Sequence, residues 1–571
     1  MAITRPNLVE AAWLGSQASG TRSGHRVPSR WSRAKPVGAL LATCLACGTP
    51  PAGAQTPAIT PDANPQGAPA VPGTPQASSQ PLAVPSDASQ ARRQTSAITP
   101  TIAAELTFTN NVDLAPSGQR VSDWVLQLTP GVAINERGAH SRLEGNIAIP
   151  VLLYARTSEN NYVAPDVNLR GTFEAVERFL FIDATVNVSQ QFQNALGPQP
   201  QNLANATDNR YTAQSYTISP YIKGDAPNRI DYELRQSSIW SNANVTTFSG
   251  SSRSFTNDVT GHVAQAPAPV GWSLEYSRSD VKFEQQQSET MEISRLRGVY
   301  QPDPTWQVLA IAGYEDNRFI ASREHGPVYG IGGLWRPTDR TRMDGTWEHR
   351  FFGSSYHVTF DHRTPLTVWS FRASRDISTY PQQLAALAAG SNVSTLLNNL
   401  FLSRIQDPLQ RGALVDQFIR ERGLPSELTS PLTLYSQRVT LLESETATAG
   451  LIGARNSVFF TAYRSRDEPL ETFEGVSFNT FAPTTQVGAN IVWNHRATAN
   501  ANLETSFAWW RTREETLEHA TSNQYWVQSI LSVPLTVLTS VHAGARYQYF
   551  RADTGNVNEF AVFVGINHLF H

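Results

Sequence analysis

Beyond about residue 100 the chain alternates. Runs of roughly 10–14 residues place apolar side chains on one parity and polar ones on the other, and each run ends in a break. In 179–189, Leu180, Ile182, Ala184, Val186 and Val188 share one face, opposite Asp183, Thr185, Asn187 and Ser189. In 229–235, Ile230, Tyr232 and Leu234 oppose Asp231, Glu233 and Arg235; in 270–277, Trp272, Leu274 and Tyr276 oppose Ser273, Glu275 and Ser277. A period of two is that of a β-strand with two different surroundings.

The breaks alternate in length. Short ones, several carrying proline, fall near 137–140, 176–178, 224–228, 266–269, 301–304, 336–338, 363–365, 453–456, 495–498 and 534–536. Longer polar ones lie between them, the largest at 376–434, with one tight exception at 353–354. The runs predict about 22 strands (range 18–24), and an even number returns both chain ends to the short-turn side. Short turns on one side and long loops on the other are the pattern of a closed antiparallel transmembrane β-barrel, with the turns facing the periplasm. Closure matters because each unpaired backbone group in hydrocarbon would cost several kcal/mol. The fold class is therefore all-β, with a helical insertion between strands 15 and 16. Trp124, Trp240, Trp272, Trp335, Trp369, Trp493, Trp509, Trp510 and Trp526 fall mostly near strand ends, where interfacial girdles form.

One hairpin fixes a register. With Gly353-Ser354 as a two-residue turn, Arg350 stands opposite His357, Glu348 opposite Thr359, Thr346 opposite Asp361, Asp344 opposite Arg363, and Trp347 meets Phe360 on the other face. The polar parity of all such strands then lines a lumen. Its candidates are Asp231, Glu233, Arg235, Glu275, Arg340, Arg342, Asp344, Glu348, Arg350, Glu504 and Arg546. Their mixed signs suit a neutral or zwitterionic solute, or a polymer held by many weak hydrogen bonds, better than a small ion. The alternative is cross-strand pairing that stiffens the wall.

Ahead of the strands, residues 1–54 read as an N-terminal extension and export signal. Arg30, Arg33 and Lys35 precede the apolar run 37–46, and Ala52-Gly53-Ala54 supplies small residues for cleavage. Residues 55–100 hold nine prolines among Ala, Gln, Ser and Thr, which predicts a disordered periplasmic tail and leaves no material for a folded plug domain there. The barrel domain is 101–571.

Composition narrows the chemistry. The 571 residues carry 45 basic and 48 acidic side chains, a balance that excludes nucleic acid as the main partner. Cys44 and Cys47 lie in the targeting segment, leaving the mature chain without thiols. No G-x-S-x-G, H-E-x-x-H, phosphate-binding glycine loop or calcium loop is present. His349, His357 and His362 do not converge, because the hairpin register sends His357 inside and the others out. No catalytic residue, metal or cofactor is expected.

Two segments stand out. The chain ends in a strand with Phe560, Val562, Val564, Ile566 and Phe570 on one parity; Phe563, Gly565 and Phe570 are the candidate signal for capture by barrel assembly machinery through strand addition. Within 376–434, Asp407-Pro408 starts a predicted helix with Leu414, Val415, Phe418 and Ile419 on one face and Gly423 at its end, preceded by apolar patches at Leu384/Leu387 and Leu396/Leu397/Leu400/Phe401. This insertion is either a mini-domain outside the cell or a lid folded into the lumen. Asp407, Leu414, Val415, Phe418 and Ile419 are the gating or plug candidates.

Glu105, the run Thr109-Asn110-Asn111-Val112-Asp113-Leu114-Ala115, Ser122-Asp123, Thr129-Pro130-Gly131, then Ile405-Gln406-Asp407-Pro408, Arg411 and Gly423-Leu424-Pro425 carry a further indication. With these motifs the chain resembles the PEP-CTERM/exosortase-system-associated outer-membrane proteins of exopolysaccharide loci. The resemblance spans about 101–571. It implies an outer-membrane barrel linked to exopolysaccharide export, with export machinery as a partner beside outer-membrane lipid and a polysaccharide or other polar solute. The expected function is a passive conduit or accessory pore. The alternatives are a non-conducting surface-attachment barrel whose loops bind polysaccharide, and an outer-membrane lipid- or glycan-modifying enzyme.

Overall fold

The computed structural model describes residues 96–226, 230–244, 252–284, 288–320, 322–387, 393, 397–398, 401, 405, 411, 414–415, 433, 435–470, 482–515, 520–553 and 555–570. The predicted signal and nearly all of the proline-rich tail lie outside the described residues, as do Asp407, Phe418, Ile419 and Gly423.

Twenty-four strand segments form one antiparallel sheet; two of them continue an interrupted neighbour, leaving 22 staves. In chain order these are β1 (Ser96–Thr109), β2 (Asp123–Arg137), β3 (Ser141–Ala148 with Val151–Tyr154), β4 (Tyr162–Val163 with Asp166–Val176), β5 (Leu180–Phe192) and β6 (Arg210–Ala226). Next come β7 (Ile230–Ala243), β8 (Ser252–Gln265), β9 (Val270–Phe283), β10 (Glu289–Asp303), β11 (Trp306–Arg318) and β12 (Arg323–Thr338). Then follow β13 (Thr341–Arg350), β14 (Gly353–Arg363), β15 (Thr367–Thr379), β16 (Val439–Ile452) and β17 (Asn456–Pro469). The last are β18 (Thr484–Arg496), β19 (Asn502–Glu514), β20 (Thr521–Pro534), β21 (Thr539–Ala552) and β22 (Gly555–Leu569). A helix, α1 (Tyr380–Leu387), follows β15, so the insertion sits between strands 15 and 16 as expected. The first interruption is at Ile149-Pro150 and the second at Ala164-Pro165, where proline cannot donate to a ladder.

The sheet closes on itself. β1 pairs with β22 from Thr101 opposite Leu569 to Thr109 opposite Ala561. β1 begins five residues before the expected boundary, within the sequence assigned to the tail. Pro100 is tolerated there because β22 has already ended beside it; its carbonyl still accepts from the Phe570 N–H at 2.9 Å.

One parity carries the exposed large apolar side chains that meet lipid, among them Leu234, Leu274, Ile331, Trp369, Phe460 and Val564. A belt of this kind around a closed antiparallel sheet is the build of an outer-membrane barrel.

The β13–β14 hairpin differs from its expected register. Phe351-Phe352 form the turn and Arg350 pairs with Gly353, so Glu348 meets Ser355, Thr346 meets His357, Asp344 meets Thr359, Arg342 meets Asp361, and Trp347 meets Tyr356. Gly353 does not begin a turn; it closes one, at φ +94°, the left-handed position after a tight turn that a side chain disfavours. Glu315 holds the corner by accepting from the Phe351 N–H at 2.8 Å, and Arg350 stacks on Phe352 at 4.9 Å. The slip is an even number of residues, so every side chain keeps its face.

Candidate functional site

Opposite the apolar belt, the other parity faces the lumen. Asp231, Glu233 and Arg235 lie on it in β7, Glu275 in β9, Arg342, Asp344, Glu348 and Arg350 in β13, Glu504 in β19 and Arg546 in β21. Arg340 does not join this wall; it stands exposed in the β12–β13 turn.

Apart from Glu504, which has no ion pair among the described residues, the charges on this wall pair locally. Arg235 bridges Asp183 and Glu233, each at 2.9 Å, and stacks on Tyr221 at 3.7 Å. Arg297 meets Glu275 at 2.8 Å, Arg295 meets Glu348 at 3.0 Å, and Arg342 meets Asp344 at 3.0 Å. Arg350 binds Glu315 at 2.8 Å and also contacts Asp376. Arg546 binds Glu559 at 3.1 Å, with both side chains almost wholly buried. Asp231 faces His262 at 3.3 Å. Between the pairs the wall is lined by uncharged groups such as Asn187, Ser189, Gln191, Ser215, Thr256 and Ser273. The inner wall is thus mixed in sign and internally paired along much of its length, rather than a field of one sign.

The seam where the barrel closes is built in the same way. Glu105 on β1 accepts from His542 Nε2 on β21 at 3.0 Å, reaching across β22 at Gly565. A Cβ at Gly565 would stand 2.4 Å from His542 Cε1, so only glycine admits the contact. Of the remaining C-terminal candidates, Phe563 is buried on the inward parity and Phe570 is exposed outside.

The insertion folds inward. Thr379 and Gln382 form half of a capping box, the Thr379 N–H and Oγ1 both donating to Gln382 Oε1 at 3.3 and 3.0 Å, and Pro381 occupies the first turn of α1. α1 leaves β15 and packs on β5–β8: Tyr380 and Leu384 bury against Tyr211, Ala213 and Ala243, and the Tyr380 and Tyr211 hydroxyls share a 3.0 Å hydrogen bond. Gln382 Nε2 donates to Ser279 Oγ on β9 at 3.1 Å.

Further along, Val393, Leu397, Phe401 and Val415 form one cluster with Val368, Ile452 and Phe459, and Leu414 packs against it. These three wall residues lie on the inward parity near the short-turn ends of β15, β16 and β17. Val368 is eleven residues below Thr379, or about 36 Å along the strand. The insertion therefore touches the lumen wall at both ends of the barrel, and the plug candidates Leu414 and Val415 belong to its lower anchor.

A second segment turns inward from the long-loop side. Residues 193–209, between β5 and β6, lie along the inner rim as far as β20–β22. The Gln199 N–H donates to Gln524 Oε1 at 3.0 Å, Gln524 Nε2 to the Gly197 carbonyl at 3.1 Å, and Gln548 Nε2 to Asn205 Oδ1 at 2.8 Å. Leu203 and Ala204 cover Val125, Leu152 and Tyr154 of the wall.

No family model and no curated protein matches the sequence. Solved structures similar to it are outer-membrane barrels. The siderophore receptor PirA from Pseudomonas aeruginosa is 7% identical, with 84% of this chain and 81% of that one covered at a TM-score of 0.41. The FrpB iron transporter from Neisseria meningitidis is 6% identical, covering 83% and 81% at a TM-score of 0.44. OccK2 from Pseudomonas aeruginosa is 7% identical, covering 83% and 98% at a TM-score of 0.31.

Several wall residues were not singled out in the sequence. Val368, Ile452 and Phe459 had a legible signal: apolar side chains on a parity that is otherwise polar. Trp510 and Trp526 were expected in the girdle, yet both face inward. Trp509 and Trp510 are adjacent, so a strand must send one to each side. The 193–209 loop offered no signal, because its anchors on β20 and β21 are more than 300 residues away.

Proposed function

We propose that this chain is a passive outer-membrane conduit for a neutral, polar solute or polymer, with the 376–434 insertion setting the aperture. A 22-stranded barrel is wide enough to hold a filling segment. The observation that carries the reading is the contact of Val393, Leu397, Phe401 and Val415 with the inward-facing Val368, Ile452 and Phe459. An insertion anchored there by apolar packing stands in the path of anything crossing the lumen. The wall around it, largely self-paired in charge and rich in hydroxyl and amide groups, supports a polyhydroxylated cargo over an ion. Association with exopolysaccharide export is proposed on the family resemblance, and export machinery would then be the partner at the periplasmic end.

Removing residues 380–430 and recording single channels in planar bilayers tests this. The deletion is expected to raise conductance several-fold; an unchanged value removes the gating role. The second reading is a non-conducting surface-attachment barrel. It is favoured by the way α1 and the 193–209 loop both cover the inner wall near the long-loop rim. Silence from both the full chain and the deletion would select it.

A further inference from the structure

We propose that the outer face of β19–β21, at its long-loop end, binds the phosphate monoester of a glycolipid in the outer leaflet. Three successive rungs on the lipid-facing parity change character in order. Phe507, Val527 and Tyr547 form the first, all exposed and part of the belt that meets lipid. Trp509, Tyr525 and Tyr549 form the second, with the two tyrosine rings 6.2 Å apart. Arg511, Asn523 and Arg551 form the third, and one step beyond it Arg513 stands opposite Thr521. Apolar chains, interfacial aromatics and then cations follow the order of a lipid's own acyl chains, linkage region and anionic head group.

Arg511, Arg513 and Arg551 are exposed, and their guanidinium groups make no ion pair or hydrogen bond among the described residues. Other arginines on the outer rim have carboxylate partners. Arg464 meets Glu443 at 2.6 Å, Arg466 meets Glu515 at 3.1 Å, Arg278 meets Asp280 at 2.9 Å and Arg323 meets Asp316 at 2.6 Å. Glu515 is therefore engaged by Arg466, while Asp553, just past the end of β21, accepts from the Thr521 N–H at 3.0 Å. Three arginines against Asp553 leave an excess of two positive charges on this face.

Cations at the rim of the hydrocarbon attract anionic head groups, and the guanidinium fork matches phosphate oxygens in pairs. Arg511 and Arg513 are two residues apart on one strand, about 7 Å, and Arg551 is two strands from Arg511, about 10 Å. Their long side chains can converge on one phosphate, with the Asn523 amide between them as a further donor. A phosphate monoester carries about 1.5 to 2 negative charges near neutral pH, which matches the local excess. A phosphodiester head group carries less charge, and a zwitterionic one has none in net. The aromatic rung beneath the arginines offers ring edges and faces to the C–H groups of a sugar, and the rung below that receives acyl chains. A phosphorylated glycolipid fits all three levels, whereas free phosphate uses only the third.

The test is native mass spectrometry of the full chain released from detergent micelles. The added lipids are lipid A with its phosphate monoesters, dephosphorylated lipid A, phosphatidic acid and phosphatidylcholine. Phosphorylated lipid A is expected to bind most tightly. Arg511→Gln/Arg513→Gln/Arg551→Gln should weaken that binding about tenfold or more, whereas Arg278→Gln, on the outer face of β9, should leave it unchanged. Arg511→Gln/Arg551→Gln serves as a second variant should the triple one fail to fold, and it should also weaken binding. Inorganic phosphate in large excess should not displace the lipid. The proposal is overturned if dephosphorylated lipid A, phosphatidic acid or phosphatidylcholine binds as tightly as the phosphorylated glycolipid. It is equally overturned if the folded variants bind as the native chain does, if Arg278→Gln weakens binding as much, or if inorganic phosphate alone displaces the lipid.

Discussion

Leu397 is fully buried in the cluster that anchors the insertion to the lower wall. Burying the four insertion side chains of that cluster contributes about 6–12 kcal/mol before ordering is deducted. Truncating Leu397 to alanine removes one of the largest, at a cost of about 2–5 kcal/mol if the cavity stays open. The ratio of docked to undocked insertion should then fall by about 30-fold to a few thousand-fold. The cost falls on docking and not on the barrel, whose strand ladders do not involve Leu397. In planar bilayers Leu397→Ala should therefore open more often, or to a larger mean conductance, while gel mobility without heating still reports a folded barrel. Phe459→Ala must give the same phenotype, although it lies on β17 and is separated from Leu397 by 62 positions, because the two side chains share one cluster. If Leu397→Ala combined with Val415→Ala leaves the current histogram unchanged, the lower anchor does not control passage and the reasoning fails.

Two further predictions concern the wall. Gly565→Ala should drive His542 away from Glu105 and lower the fraction of heat-modifiable folded barrel on semi-native gels, an overpacking cost of about 1–3 kcal/mol; removing the ring as well, in Gly565→Ala/His542→Ala, should restore part of the loss, and native behaviour of the single variant would refute the close fit at the seam. Arg546→Met strands the buried Glu559 and should lower stability by about 3–5 kcal/mol, read as a shifted urea midpoint in tryptophan fluorescence, whereas Arg546→Met/Glu559→Met should cost much less; equal losses would mean that the pair is not acting as a unit.

Much of this was legible in the residue pattern. Alternation separated the lipid face from the lumen face, and that division survived even where the register moved. At Gly353 the strand partners changed, yet His357 stayed inside and His349 and His362 stayed outside, because an even slip preserves parity. Arg340 shows the limit. It sits on the correct parity for the wall but falls in the turn, and boundaries of one or two residues are set by hydrogen bonding that no period reveals.

The sequence by itself determined that the chain makes about 22 membrane-crossing strands with both ends on one side, since lipid outside and water inside impose opposite demands on adjacent residues. It also marked 376–434 as the segment that does not obey that rule. Only the tertiary structure decided which way the segment goes. An apolar helical patch buries equally well in an external mini-domain or against a lumen wall, and the choice depends on a complementary apolar patch. Here that patch is Val368, Ile452 and Phe459, contributed by three strands on both sides of the insertion and brought together only by the closed sheet. The same holds for the seam and the inward tryptophans: their partners meet through curvature and closure, which act across the whole cylinder and leave no local trace in the chain.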